Sequence, residues 1–150
     1  MIANDLWGDL PTGPAEKAPV AILKEQAQLL GQKTNQLLEG RVRQRDPESL
    51  SVNYTAVSLS FPVDERIGLV AYDFSIIAPT LNNYEYSVLT IVHSLNYYPL
   101  QLYARSYNKY SYRFKTLSDQ QSFEEELRAI FGSEEIRKVI AGLLGQIRSA

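Results

Sequence analysis

The sequence predicts a two-layer α+β domain, in which an N-terminal helix, an antiparallel meander of about five strands and two C-terminal helices follow one another. Changes of periodicity carry that prediction. Apolar residues recur at helical spacing over 20–39, switch to a period of two between 41 and 115, and return to helical spacing after Ser118. The short connections between the period-two runs add a further observation. A parallel crossover needs a dozen or more residues, so neighbours joined by so few must run antiparallel.

A chain of 150 residues is the size of one domain, and 45% hydrophobic with 21% charged residues is an ordinary globular balance. Zero cysteines exclude disulfides, thiolate metal sites and thiol nucleophiles, and point to a cytoplasmic setting. The N-terminus lacks a basic n-region and an apolar h-region, and no stretch is apolar enough for a membrane span. A net charge of −2 selects no class of partner.

Residues 1–19 carry Pro11, Pro14 and Pro19 with Gly8 and Gly13, and are expected to form an extended arm before a domain over 20–150. Leu6, Trp7 and Leu10 give the arm an apolar cluster. The first expectation is that Trp7, the chain's one tryptophan, folds back to fill a gap in its own domain. The alternative is a linear segment that docks on a partner.

Ile22, Leu23, Ala27, Leu29, Leu30, Leu37 and Leu38 recur at helical spacing behind Pro19, with Gly40 as the natural stop. Gly31 within that helix suggests a close approach to another element. Strands are then expected near 51–61, 67–77, 84–94, 99–106 and 110–116, separated by turn residues. Folding each hairpin about its loop places Val57, Leu59 and Phe61 beside Val70, Tyr72 and Phe74. Tyr86, Val88 and Val92 come next, then Leu100, Leu102 and Ala104, then Tyr110, Tyr112 and Phe114, all on one apolar face. The last hairpin requires a three-residue loop at 107–109, since a two-residue loop would set Arg113 and Lys115 beside Leu100 and Leu102. Ser118 to Gln121 fits a capping box for a helix carrying Phe123, Leu127, Ile130 and Phe131 inward. Gly132-Ser133 separates it from a final helix with Ile136, Val139, Ile140, Leu143, Leu144 and Ile147. The three helices are expected to cover the apolar face.

The second sheet face then carries Ser58, Ser60, Asp73, Ser75, Glu85, Ser87, Leu89, Ile91, His93, Gln101, Tyr103, Arg105, Ser111, Arg113 and Lys115. Its apolar middle, ringed by polar and cationic groups, has the composition of a shallow recognition site, although antiparallel sheets often leave one face in water without function. Asp73, His93, Tyr103, Arg105, Arg113 and Lys115 are its candidate ligand or partner residues.

Catalytic motifs are missing from the sequence: it has no phosphate-binding glycine loop, no zinc-ligand spacing and no nucleophile elbow. His93 is the only histidine and reads as a hydrogen-bonded structural residue. The paired acids Asp64-Glu65, Glu124 to Glu126 and Glu134-Glu135 fall in a turn or on helix surfaces, where nothing raises a carboxyl pKa for acid catalysis. No cofactor and no metal is implied. The favoured function is a non-catalytic protein-interaction or accessory module, adaptor- or immunity-like, using the sheet face or the Leu6, Trp7 and Leu10 arm to bind another protein. A second reading is a small-ligand binder or weak enzyme with Asp73, His93, Tyr103 and Arg105 in a pocket. The third and weakest is single-stranded nucleic acid, held by Tyr103, Arg105, Arg113 and Lys115.

Overall fold

The computed structural model describes residues 3–13, 16–49, 58–66, 68–109 and 114–149. Helix α1 spans Pro19–Lys33, with Pro19 in the first turn, where its missing N–H has no intrahelical partner to lose. It ends at Lys33 rather than at 39. The Thr34 hydroxyl bonds Leu30 O at 2.8 Å and accepts from Leu38 N at 3.1 Å, so it competes with the helical ladder. Asn35 and Gln36 then adopt left-handed backbone with φ of 52° and 66°. Asparagine tolerates that region best among residues with a side chain, and the chain reverses there.

It returns as strand β1, Glu39–Arg45, and Gly40 is a strand residue rather than a helix stop. A Cβ on Gly40 would fall 2.4 Å from Ala27 Cα, so the small pair lets α1 lie directly on β1. Gly40 therefore makes the close approach foreseen for Gly31, whose added Cβ would meet the movable Gln36 side chain at 2.9 Å.

The remaining strands are β2 Val70–Ala78, β3 Tyr84–His93, β4 Leu100–Ala104 and β5 Lys115–Leu117. They form a five-stranded antiparallel meander in sequence order. The architecture is the expected one, but its first strand is not. Of the strand foreseen over 51–61, residues 51–57 lie outside the described residues, and 58–61 are helical turn and bend. β1 takes its place because it is an edge strand. Only Val42 is apolar and inward, while Arg41, Arg43 and Arg45 alternate outward, so an apolar alternation does not reveal it.

Register departs from the sequence at one point. Phe74 pairs with Leu89 but Ser75 pairs with Ser87, so Val88 is an extra residue in β3. This β-bulge reverses the alternation of everything after it. Leu89, Ile91 and His93 join Tyr86 and Val88 on the helix-covered face, and Val92 moves to the other. Leu100, Leu102 and Ala104 keep the face expected of them.

In β5, Lys115 pairs with Leu102 and Leu117 with Leu100, the arrangement that the sequence reading excluded. An edge strand tolerates it because the long lysine stem carries Nζ to both Glu126 oxygens, at 3.1 and 3.2 Å. Phe114 consequently faces away from the helices, against Tyr103 at 5.3 Å between ring centroids. Tyr110 and Tyr112 lie outside the described residues.

Helix α2, Gln120–Phe131, is capped one residue later than expected. Asp119 accepts from Ser122 N at 2.8 Å, and Ser122 Oγ accepts from Asp119 N at 3.3 Å. Helix α3, Glu134–Ser149, begins behind Ser133, whose hydroxyl accepts from Ile136 N at 3.3 Å. Phe123, Leu127 and Ile130 of α2 and Ile136 and Leu143 of α3 enter one core with Ile22, Leu23, Phe74, Ile91 and Leu102. A smaller cluster of Phe61, Leu69, Ala71 and Val92 lies on the opposite sheet face, with Tyr103 packed against it.

Candidate functional site

The residues grouped by sequence on one open face are divided by the structure. Asp73, Ser75, Glu85, Ser87, Gln101 and Tyr103 do share the face opposite the helices. That face is closed in part by the segment carrying Phe61 and Leu69, and Ser75 and Gln101 are buried on it. Asp73 accepts from Thr90 Oγ1 at 2.6 Å and pairs with Arg45 at 3.3 Å. The Tyr103 hydroxyl donates to Gln101 Oε1 at 2.7 Å, and burial holds its pKa well above the ordinary phenol value.

His93 belongs to the helix-covered side. It is 4% exposed, its ring stacks on Tyr72 at 6.0 Å and meets the Tyr97 edge, and its Nδ1 lies 2.7 Å from Ser94 O. Nε2 is buried without a partner among the described residues, and desolvation lowers the pKa despite the hydrogen bond to Ser94. Arg105 sits over the Tyr86 ring, 4.4 Å from its centroid, while the Tyr86 hydroxyl donates to Glu135 at 3.2 Å. Lys115 is engaged with Glu126, and Arg113 lies outside the described residues. The structure thus does not bring Asp73, His93 and Arg105 together, nor Tyr103, Arg105 and Lys115.

The arm keeps its apolar residues off its own domain. Leu6, Trp7 and Leu10 are 91%, 81% and 67% exposed, contrary to the expectation that Trp7 plugs a gap. Residues 3–13 and 16–18 of the arm are without helix or strand, and Pro19 already belongs to α1. Only its root is fixed: Glu16 Oε2 accepts from Gln120 N at 2.7 Å and Lys17 N donates to Gln120 Oε1 at 2.9 Å.

A different feature has the form of a receptive site. Helix α1 lies along β1, whereas α2 sits toward β5 and α3 packs on α2 and the 79–81 turn, leaving an open groove of about 720 Å³ between α1 and the α2–α3 pair. Phe74 and Ile76 of β2 contribute to its lining, with Ile22, Leu29 and Leu30 from α1 and Leu127, Phe131, Ile136 and Ile140 from α2 and α3. Leu29 is 41% exposed there.

The charged rim is ordered along the groove. Glu25 and Glu124 come from the early turns of α1 and α2, whose starts the Glu16, Lys17 and Gln120 contacts hold together. Lys33, Arg128 and Arg137 come from the helix ends and the turn beyond. The acids are already occupied, Glu25 by Lys17 and Glu124 by Gln120 Nε2 at 3.2 Å. The three cations have no carboxylate partner among the described residues.

Comparison with protein-family models, curated proteins and solved structures gives no match. Function must therefore be argued from the groove itself. Among the described residues, no group of three or more His, Asp or Glu side chains is placed to hold a metal ion, and no helix is long and apolar enough to cross a membrane. Sequence reasoning missed the groove because its walls come from three helices whose inward stripes read as ordinary core. The exposed Leu29, one position outside a purely buried stripe, is the one signal that it carried.

Proposed function

We propose that the protein is a protein-interaction module of accessory or adaptor type, working in the cytoplasm, that receives an apolar peptide segment in the groove between α1 and the α2–α3 pair. The observation that carries this reading is the lining: Leu29 is exposed and Leu30, Phe131 and Ile140 are half-buried along the walls, over a floor closed by buried Phe74 and Ile76, and cations without a carboxylate partner among the described residues stand at one end. Helices walling a groove over an apolar floor suit the helix-in-groove mode of recognition, in which aromatic and aliphatic anchors supply most of the affinity. The cations add orientation, because an acidic flank on the ligand is drawn to the Lys33, Arg128 and Arg137 end.

This reading moves the partner surface from the sheet face to the helical side. Asp73 and Tyr103 then act in packing and charge pairing, and Arg105 and Lys115 hold elements together. Peptides selected from a random displayed library against the full chain test the proposal. Selected sequences should be apolar with acidic flanks, and Leu29→Lys or Ile140→Lys should weaken their binding at least tenfold while Ser87→Lys on the other face leaves it unchanged. Selected peptides that bind Leu29→Lys and Ile140→Lys as well as the unaltered protein would refute it.

The volume also falls within the roughly 300–1,000 Å³ range of small-molecule sites. An amphiphile with an anionic head is the second reading that this supports, with its head at the cations and its tail over Phe74 and Ile76. Displacement of selected peptides by a medium-chain fatty acid at micromolar concentration distinguishes it.

A further inference from the structure

The groove offers exposed Leu29, half-buried Leu30, Phe131 and Ile140, and cations without a carboxylate partner among the described residues, and the N-terminal arm of the same chain offers the complementary chemistry. We infer that Asp5–Leu10 of one copy docks in the groove of a second copy, so that two copies exchange arms about a twofold axis; the inference rests on the groove being a peptide-binding surface, as proposed above.

Both halves of the contact stand unoccupied in the single chain. Leu6, Trp7 and Leu10 are among the most exposed large apolar residues described, and the groove encloses about 720 Å³. A tryptophan brings about 150–250 Å² of surface to any pocket that takes it. The charges also match. Asp5 and Asp9 flank Leu6 and Trp7, residues 1–16 hold no Lys or Arg, and the groove cations without a carboxylate partner among the described residues are Lys33, Arg128 and Arg137.

Lengths agree as well. Leu6 to Leu10 extended spans roughly 13–17 Å, inside the roughly 22 Å length of a helix like α1, which has 15 residues. Exchange is favoured over self-insertion because Leu6, Trp7 and Leu10 stay 91%, 81% and 67% exposed in the single chain, although the root of their arm at Glu16 and Lys17 is bonded to Gln120 beside the groove. A twofold exchange fills both grooves and leaves no open interface to propagate. Two such arms bury on the order of 1,000 Å², the lower end of specific interfaces, so the dimer should dissociate on dilution.

Trp7 is the only tryptophan, so its emission reports the arm alone. Sedimentation equilibrium and tryptophan emission of the full chain, measured across a concentration series, test the inference. The expected result is a dimer at high micromolar concentration that dissociates on dilution, with the emission moving to longer wavelength in step. Trp7→Ala and Leu29→Lys should each abolish the dimer. Trp7 is 81% exposed in the single chain, so loss of the dimer in Trp7→Ala is not an unfolding effect.

A monomer at every concentration overturns the exchange, as does a blue-shifted emission that ignores concentration, which would mean self-insertion. A dimer that survives Trp7→Ala overturns it too, since another surface would then be responsible. Failure here is separable from failure of the groove reading. A monomeric protein whose library-selected peptides are still lost in Leu29→Lys keeps the groove and loses the exchange.

Discussion

The two faces of the sheet each hold a buried apolar cluster, yet they differ in size and are closed in different ways. Toward the helices, Phe74, Ile76, Leu89, Ile91 and Leu102 enter one continuous core under α1, α2 and α3, and that cover parts between α1 and α2 to leave the groove. On the other side, Ala71 and Val92 are sealed by Phe61 and Leu69, while Arg41, Arg43 and Arg45 lie along the edge with Glu85 and Asp73. A helix is a rigid cylinder, and covering a twisted sheet with three of them leaves space between neighbours. An irregular segment can follow the sheet and fill. The groove therefore lies on the helical side, and Leu89 and Ile91, which sequence alternation assigned to the other face, are buried beneath the helices.

Leu89→Ala challenges that comparison most strongly. If Leu89 lies in the helix-covered core, the substitution should lower unfolding stability by about 2–5 kcal/mol in urea titration, the range for a buried leucine. On an open sheet face the same change would have little effect. Gly40→Ala comes next, since it forces a methyl group against Ala27 and should cost about 1–3 kcal/mol by overpacking, with α1 displaced from β1. A thermal melt indistinguishable from that of the unaltered chain would contradict the close approach.

Buried and neutral, His93 brings a pH effect to the helical face alone. Its folded pKa lies below the ordinary value near 6.5, so between the two the unfolded chain binds a proton that the folded chain does not. The neutral-histidine contribution is thus fully present above about 6.5 and is lost as pH falls toward the folded pKa, at no more than about 1.4 kcal/mol per pH unit. His93→Gln should flatten the stability profile between pH 6.5 and 5, which urea midpoints at several pH values would reveal. Asp73→Asn should have the smallest effect, under about 1 kcal/mol, because the pair with Arg45 is part-exposed. A larger loss would place Asp73 in the main structural framework.

The elements with one strong period were legible in the sequence. Helices α1, α2 and α3 and the meander order follow from apolar spacing and short turns, and the second helix start is off by one residue because Ser118 and Asp119 are both good caps. The bulge was not legible, for a physical reason. In Val88-Leu89-Thr90-Ile91-Val92, both alternating sets are apolar, so a slip of one residue leaves the pattern equally plausible. β1 was hidden because an edge strand needs only one inward apolar residue. The groove depends on how far apart two helices settle over the sheet, which no local pattern encodes. The exposed state of Trp7 was similarly out of reach, since an apolar residue in a proline-rich arm is compatible with either outcome.

The position of Ile91 decides most directly whether the apolar pair lies under the helices. The chain has no cysteine, so Ile91→Cys and Ser87→Cys each carry a single thiol for modification by a soluble disulfide reagent under native conditions. The account predicts that the thiol at 87 reacts freely, while the thiol at 91 reacts only as fast as the protein opens and is released by urea. Equal rates at both positions would place Ile91 on the open face, and the groove would lose its standing as the receptive apolar surface.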